Sequence, residues 1–145
     1  MPGFINFKSK GNSFVIAKDR LYTPEGIWVR FNNSLQRIGL SDYAQATLGA
    51  ISYVDFYQVG IVVKAGDIVA TLEGKTKNFD MISQTSGYLA SINPLLLDFP
   101  QTINEDPYGE GWVVEISPNE LRECLPRLIT PDTYVAHLEQ ENSGK

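Results

Sequence analysis

The sequence predicts an all-β domain, a sandwich or flattened barrel, with a helical segment at its C-terminal end. Short runs rich in Val, Ile, Tyr and Phe recur about every 6–12 positions, separated by turn residues. No long alternation of strand and helix patterns supports a parallel sheet. At 145 residues, 43% hydrophobic and 20% charged, the chain suits one domain and can bury a core.

The elements follow in order. Residues 1–20 read as an extension with one short strand at Phe14–Ala17. Ile27–Phe31 and Leu35–Leu40 are two strands of a hairpin joined by Asn32-Asn33-Ser34, since Asn tolerates a left-handed backbone. Ser41 caps a short helix that Gly49 closes. Ile51–Phe56 alternates as a strand, with Ile51, Tyr53 and Asp55 on one face and Ser52, Val54 and Phe56 on the other. Strands then follow at Ile61–Val63, Asp67–Leu72, Met81–Ser83, Gly87–Ile92 and Trp112–Ile116. Asn93–Asn104 is irregular or helical around Leu95-Leu96-Leu97, and Asn104–Gly111 is a loop. Leu121, Cys124, Leu125 and Leu128 have the spacing of an amphipathic helix over Pro118–Leu128. A short helix is expected at Pro131–Leu138, and Glu139–Lys145 is expected to fray.

Composition narrows function by exclusion. No apolar run is long enough to span a bilayer, and the N-terminus lacks a secretory pattern, so a cytoplasmic location is expected. A net charge of −5, with basic residues spread thinly, speaks against nucleic acid and anionic membranes as partners. The single cysteine, Cys124, and the single histidine, His137, exclude an intrachain disulfide and a cysteine or multi-histidine metal centre. Cys124 reads as a packing residue and His137 as a surface or helix-end residue. There is no Gly-rich phosphate loop and no paired acid and base. A carrier, adaptor or structural module fits this better than an enzyme.

Three segments point to a family. They are Ile38–Gly49 with its continuation through Gly60, Val63–Asp67 through Ser86-Gly87, and Asn104-Glu105-Asp106-Pro107-Tyr108-Gly109-Glu110-Gly111-Trp112. Tyr22-Thr23, Glu25 and Trp28-Val29 add a weaker fourth. Over roughly residues 20–135 the chain resembles the H proteins of the glycine cleavage system. The resemblance implies a lipoyl-domain-like, barrel-sandwich fold, with residues 1–20 an extension, 21–138 the H-like domain and 139–145 a flexible tail. It implies no catalytic residue. It implies lipoate in amide linkage to a lysine at a hairpin tip, shuttling an aminomethyl group or electrons between partners. Those partners are glycine decarboxylase-like, aminomethyltransferase-like and dihydrolipoyl dehydrogenase-like proteins, with a lipoate-attaching enzyme. A biotin-type carrier is disfavoured, because no Met-Lys-Met-like tip is present.

The tip departs from the family. There the hairpin reads Glu-Ser-Val-Lys-Ala, then three residues and Tyr-Ser-Pro, before Ser-Gly. A gapless fit on Glu73, Asp80 and Ser86-Gly87 puts Thr76 at the lysine position, flanked by Lys75 and Lys77. Ile82-Ser83-Gln84 replaces Tyr-Ser-Pro, and Gly26 replaces a histidine. Threonine has no amine to acylate. Either the turn has slipped to bring a lysine to the tip, or a flanking lysine is modified, or the domain is a scaffold without cofactor. Lys75 is slightly preferred over Lys77 as the attachment candidate, since Gly74 gives the backbone freedom to slip. The plain reading of both lysines is a solvated turn that discourages edge pairing. Glu105, Asp106, Tyr108 and Glu110 either shape the surface beside the arm or hold their loop. Trp28, Tyr43 and Trp112 read as core or rim aromatics.

Overall fold

The computed structural model describes residues 3–143. Its strands are β1 (Phe4–Ser9), β2 (Asn12–Ala17), β3 (Leu21–Tyr22), β4 (Ile27–Asn32), β5 (Leu35–Leu40), β6 (Ile51–Phe56), β7 (Val62–Val63), β8 (Ile68–Gly74), β9 (Asn78–Ile82), β10 (Gly87–Ile92) and β11 (Val114–Pro118). Its helices are α1 (Asp42–Leu48), α2 (Leu95–Asp98), α3 (Thr102–Glu105) and α4 (Pro131–Ser143). A six-stranded sheet in the order β3-β4-β5-β11-β10-β7 lies over a three-stranded sheet, β6-β8-β9, and every pairing is antiparallel. The sheets do not close into a barrel, so the result is the flattened barrel-sandwich expected from the sequence.

The core between the sheets takes alternate residues from both. Val29, Ile38, Leu40, Leu89 and Ile116 come from the larger sheet, and Val54, Val69, Leu72 and Met81 from the smaller. This period-2 burial is what fixes register, because a slip of one residue would turn each strand inside out. Ser41 caps α1 as expected, its side chain accepting from the Ala44 N–H, and Gly49 ends the helix at φ 75°.

Several elements differ from expectation. The alternation in β6 breaks at a bulge between Ile51 and Tyr53, so Ile51 and Val54 are both buried and Tyr53 faces solvent. Residues 1–20 hold more than one strand. β1 and β2 form a hairpin, with Lys10 and Gly11 at positive φ in its turn, and it packs Phe7 and Ile16 into a second core with Tyr22, Trp28, Tyr134 and Leu138. Trp112 precedes the last strand, which begins at Val114.

The amphipathic helix over Pro118–Leu128 does not form. Turns lead into a short 3-10 segment at Leu125–Arg127, with only Cys124 buried, while Leu121 and Leu125 are exposed. Pro126 accounts for this, since inside a helix it would lack an N–H and clash with the preceding turn. The expected fraying also fails over Glu139–Ser143, where α4 continues. The Ser9 hydroxyl donates to Asn142 Oδ1 at 3.1 Å, and Asn142 Nδ2 donates to the Leu138 carbonyl at 2.7 Å. The final two residues of that stretch, and the first two of the chain, lie outside the described residues. Among the described residues no helix is long and apolar enough to cross a membrane.

Candidate functional site

Past a bulge between Ile68 and Ala70, the β8–β9 hairpin keeps its register to the tip, pairing Thr71 with Asp80, Leu72 with Phe79 and Glu73 with Asn78. Lys75, Thr76 and Lys77 connect the strands, and all three are exposed. Thr76 stands in the middle, with a lysine on each side.

The tip is seated on the junction between α1 and β6. The Thr76 N–H donates to the Leu48 carbonyl at 2.8 Å, and the Lys75 N–H to the Ala50 carbonyl at 2.9 Å. Leu48 lies in the last turn of α1, where carbonyls have no partner within the helix, so the hairpin supplies one. A Cβ on Gly49 would stand 2.9 Å from Thr76 Oγ1, and one on Gly74 would collide with the Leu48 carbonyl and come within 2.7 Å of the Lys77 carbonyl. Gly74 is therefore a point of close backbone approach and not a point of slip.

Asn104 braces the same junction. Its Oδ1 accepts from the Ile51 N–H at 2.9 Å, and its Nδ2 donates to Gln45 Oε1 at 2.8 Å and to the Gly49 carbonyl at 3.0 Å. Sequence reading places Asn104 in a loop and misses this role. Its contacts lie 53 to 59 positions away along the chain, so no local pattern signals them.

Beside the tip lies a cleft of about 250 Å³ that includes Glu25, Tyr43, Thr47, Lys77 and Glu141 in its walls. Tyr134 lies at its base, almost wholly buried, with its hydroxyl 2.7 Å from Ser41 Oγ. Burial pushes the Tyr134 phenol well above its ordinary pKa, so it stays protonated in the working range. Lys77 thus borders a cleft with two carboxylates at its rim, while Lys75 does not line it.

The remaining candidates fall elsewhere. Asp106 Oδ2 accepts from the Glu110 N–H at 2.9 Å, which holds their loop. The Tyr108 hydroxyl donates to the Val15 carbonyl at 2.7 Å and accepts from the Asp42 N–H at 3.1 Å, tying the N-terminal hairpin to α1. Burial raises the Tyr108 phenol to about 12. Asp106, Tyr108 and Glu110 line a different cleft from the one at Lys77. Cys124 is buried, and burial pushes its thiol up, away from nucleophilic character. His137 faces Glu141 at 3.3 Å on α4. Among the described residues no cluster of three potential metal ligands occurs.

Known proteins resemble this chain over most of its length. The family profile described as "Glycine cleavage H-protein" matches residues 20–141. The chain is 36% identical over 131 residues to the probable glycine cleavage system H protein 1 of Saccharolobus solfataricus, covering 90% of this chain and 96% of the relative. It is 35% identical over 126 residues to the glycine cleavage system H protein of Rubrobacter xylanophilus, covering 87% and 97%. The crystal structure of a glycine cleavage system H protein from Mycobacterium marinum superimposes with a TM-score of 0.76 at 29% identity, covering 85% of this chain and 98% of that one.

Proposed function

This chain belongs to the family of glycine cleavage H-proteins, and on that premise we propose that it is a non-catalytic lipoyl carrier working among larger enzymes in the cytoplasm. The carrying observation is the exposed Lys75-Thr76-Lys77 tip on a hairpin braced by α1 and Asn104. A rigid scaffold with an arm on its tip raises the effective concentration of the arm at each partner site. The scaffold itself needs no acid or base, which fits a chain without a catalytic constellation.

The tip suits lipoate through its two exposed primary amines, either of which could form the amide. Lys77 is the better anchor, because an arm rooted there has the cleft at its side. When bound, the lipoyl group supplies a disulfide and dithiol able to carry an aminomethyl group and two electrons. This chain's own part is to hold the root of the arm, to offer the cleft between α1 and α4 as shelter, and to dock. The partners are decarboxylase-like, aminomethyltransferase-like and dihydrolipoyl dehydrogenase-like proteins, with a lipoate-attaching enzyme.

Thr76 favours a second reading. It occupies the middle of the tip, held by its own N–H, and has no amine. A scaffold that docks to the same partners without an arm fits that side chain. Glycine-dependent CO2 exchange with the partner enzymes of the source organism separates the two. Under the carrier reading the unsubstituted protein supports exchange and Lys77→Arg abolishes it, with Lys75→Arg close to the unsubstituted rate. Exchange that survives the double lysine variant contradicts it. A protein that binds the partners yet supports no exchange favours the scaffold.

A further inference from the structure

The cleft formed by β4, β5 and the loop at 106–112 takes no part in the proposed carrier role, and its composition is unusual for this chain. Its volume is about 300 Å³, and Arg20, Arg30 and Arg37 all line it, with Trp28, Tyr108 and Trp112. These are three of five arginines, and both tryptophans, in a chain of net charge −5. Arg30 and Arg37 stand directly opposite each other on β4 and β5. Like charges in that position repel and weaken the sheet, so the pairing asks for a compensating use.

Two of the guanidinium groups are fixed in place. Arg20 is buried, donates to Asp19 Oδ1 at 2.8 Å and to the Tyr108 carbonyl at 2.9 Å, and stacks on Trp28 at 4.6 Å from the ring centroid. Arg37 donates to Glu115 Oε2 at 3.0 Å and lies 4.3 Å above Trp112. Arg30 differs. Its one ion-pair contact among the described residues is a 3.6 Å approach to Asp19, which Arg20 already engages, and its side chain is 53% exposed. It is the cation with most capacity to spare.

Asp106 and Glu110 line the same cleft, yet among the described residues neither comes within 4.0 Å of an arginine nitrogen. Opposite charges that share a cleft without meeting leave room between them for a group bearing both signs. We propose that this cleft binds a free α-amino acid, its carboxylate on Arg30 and its ammonium toward Glu110. The inference stands on residues separate from the Lys75–Lys77 tip and holds whether or not the tip carries lipoate.

Both tryptophans line the cleft, so intrinsic tryptophan fluorescence is sensitive to binding there. The experiment titrates the full chain with L-leucine and with glycine, and separately with acetate and methylammonium at matched ionic strength. The expected result is a saturable change with at least one amino acid, and none with either half-ligand. Arg30→Gln and Glu110→Gln should each weaken it by about tenfold or more, with circular dichroism unchanged and the melting temperature not lowered. Absence of a saturable change up to roughly 10 mM overturns the proposal. So does an equal response to acetate or methylammonium alone, or binding that both substitutions leave intact. If one variant fails to fold, the other decides.

Discussion

Under the proposed fit of the hairpin to the family motif, Thr76 puts a hydroxyl where that motif has an amine, and the two neighbouring amines are displaced by one residue each way. Because the tip is exposed, Lys75→Arg and Lys77→Arg should each alter stability by less than about 0.5 kcal/mol in denaturant melts. Thr76→Lys should be equally mild and should turn the tip into a good substrate for a lipoate-attaching enzyme, read as a lipoyl mass gain mapped to position 76. Gly74→Ala should behave differently. Its Cβ meets the Leu48 and Lys77 carbonyls, so a loss of about 1–3 kcal/mol is expected, with changed chemical shifts at Leu48 and Thr76. The positions of Thr76 and its lysines are legible in the sequence by fitting Glu73, Asp80 and Ser86-Gly87. Gly74's role is not, because freedom to turn and freedom from a Cβ look alike until the Leu48 carbonyl is in view. Glu115 gives a pH test. Burial alone would raise its pKa, but donors from Ser91, Asn32 and Arg37 outweigh burial and hold it below the usual carboxylate value. A carboxylate depressed on folding stabilises the fold above its unfolded pKa, and that share is lost as pH falls through the folded value. Glu115→Gln should therefore lower stability at neutral pH and flatten the acid limb of a stability–pH curve.

Among elements, the β1–β2 hairpin is the clearest addition, since the matched family region starts at residue 20. Sequence reading finds only its second strand. Its first strand, Phe4–Ser9, mixes Asn, Lys and Ser with its apolar residues, and what makes it a strand is pairing with Asn12–Ala17 and packing of Phe7 against Tyr43 and into the second core. Phe7 is 4% exposed, and Phe7→Ala should cost about 3–5 kcal/mol in a urea melt. A cost under about 1 kcal/mol would mean that the hairpin is only loosely docked. The segment after β11 teaches the opposite lesson. A clean helical spacing at Leu121, Cys124, Leu125 and Leu128 is overridden by Pro126, a local veto that periodicity alone does not weigh. Elements with both a pattern and a cap, such as α1 between Ser41 and Gly49, come out as read.

Over the whole molecule, two antiparallel sheets of unequal size build a scaffold that bears two clefts of different lining. The lysine-rich tip is seated on α1 and beside the cleft of α1 and α4. The flattened β architecture was legible from strand spacing, and the family from three long segments. The braces through Asn104, the cleft at Lys77 and the arginine cleft were not, since each joins residues from distant strands and loops. The proposed carrier role requires an arm on this scaffold. Intact-mass spectrometry with peptide mapping on protein isolated from its native host tests it most directly. A carrier with its arm rooted beside the cleft shows a mass gain of one lipoyl group on Lys77. A fully unmodified chain, in cells whose other lipoyl proteins are fully modified, would contradict it and leave a docking scaffold without cofactor.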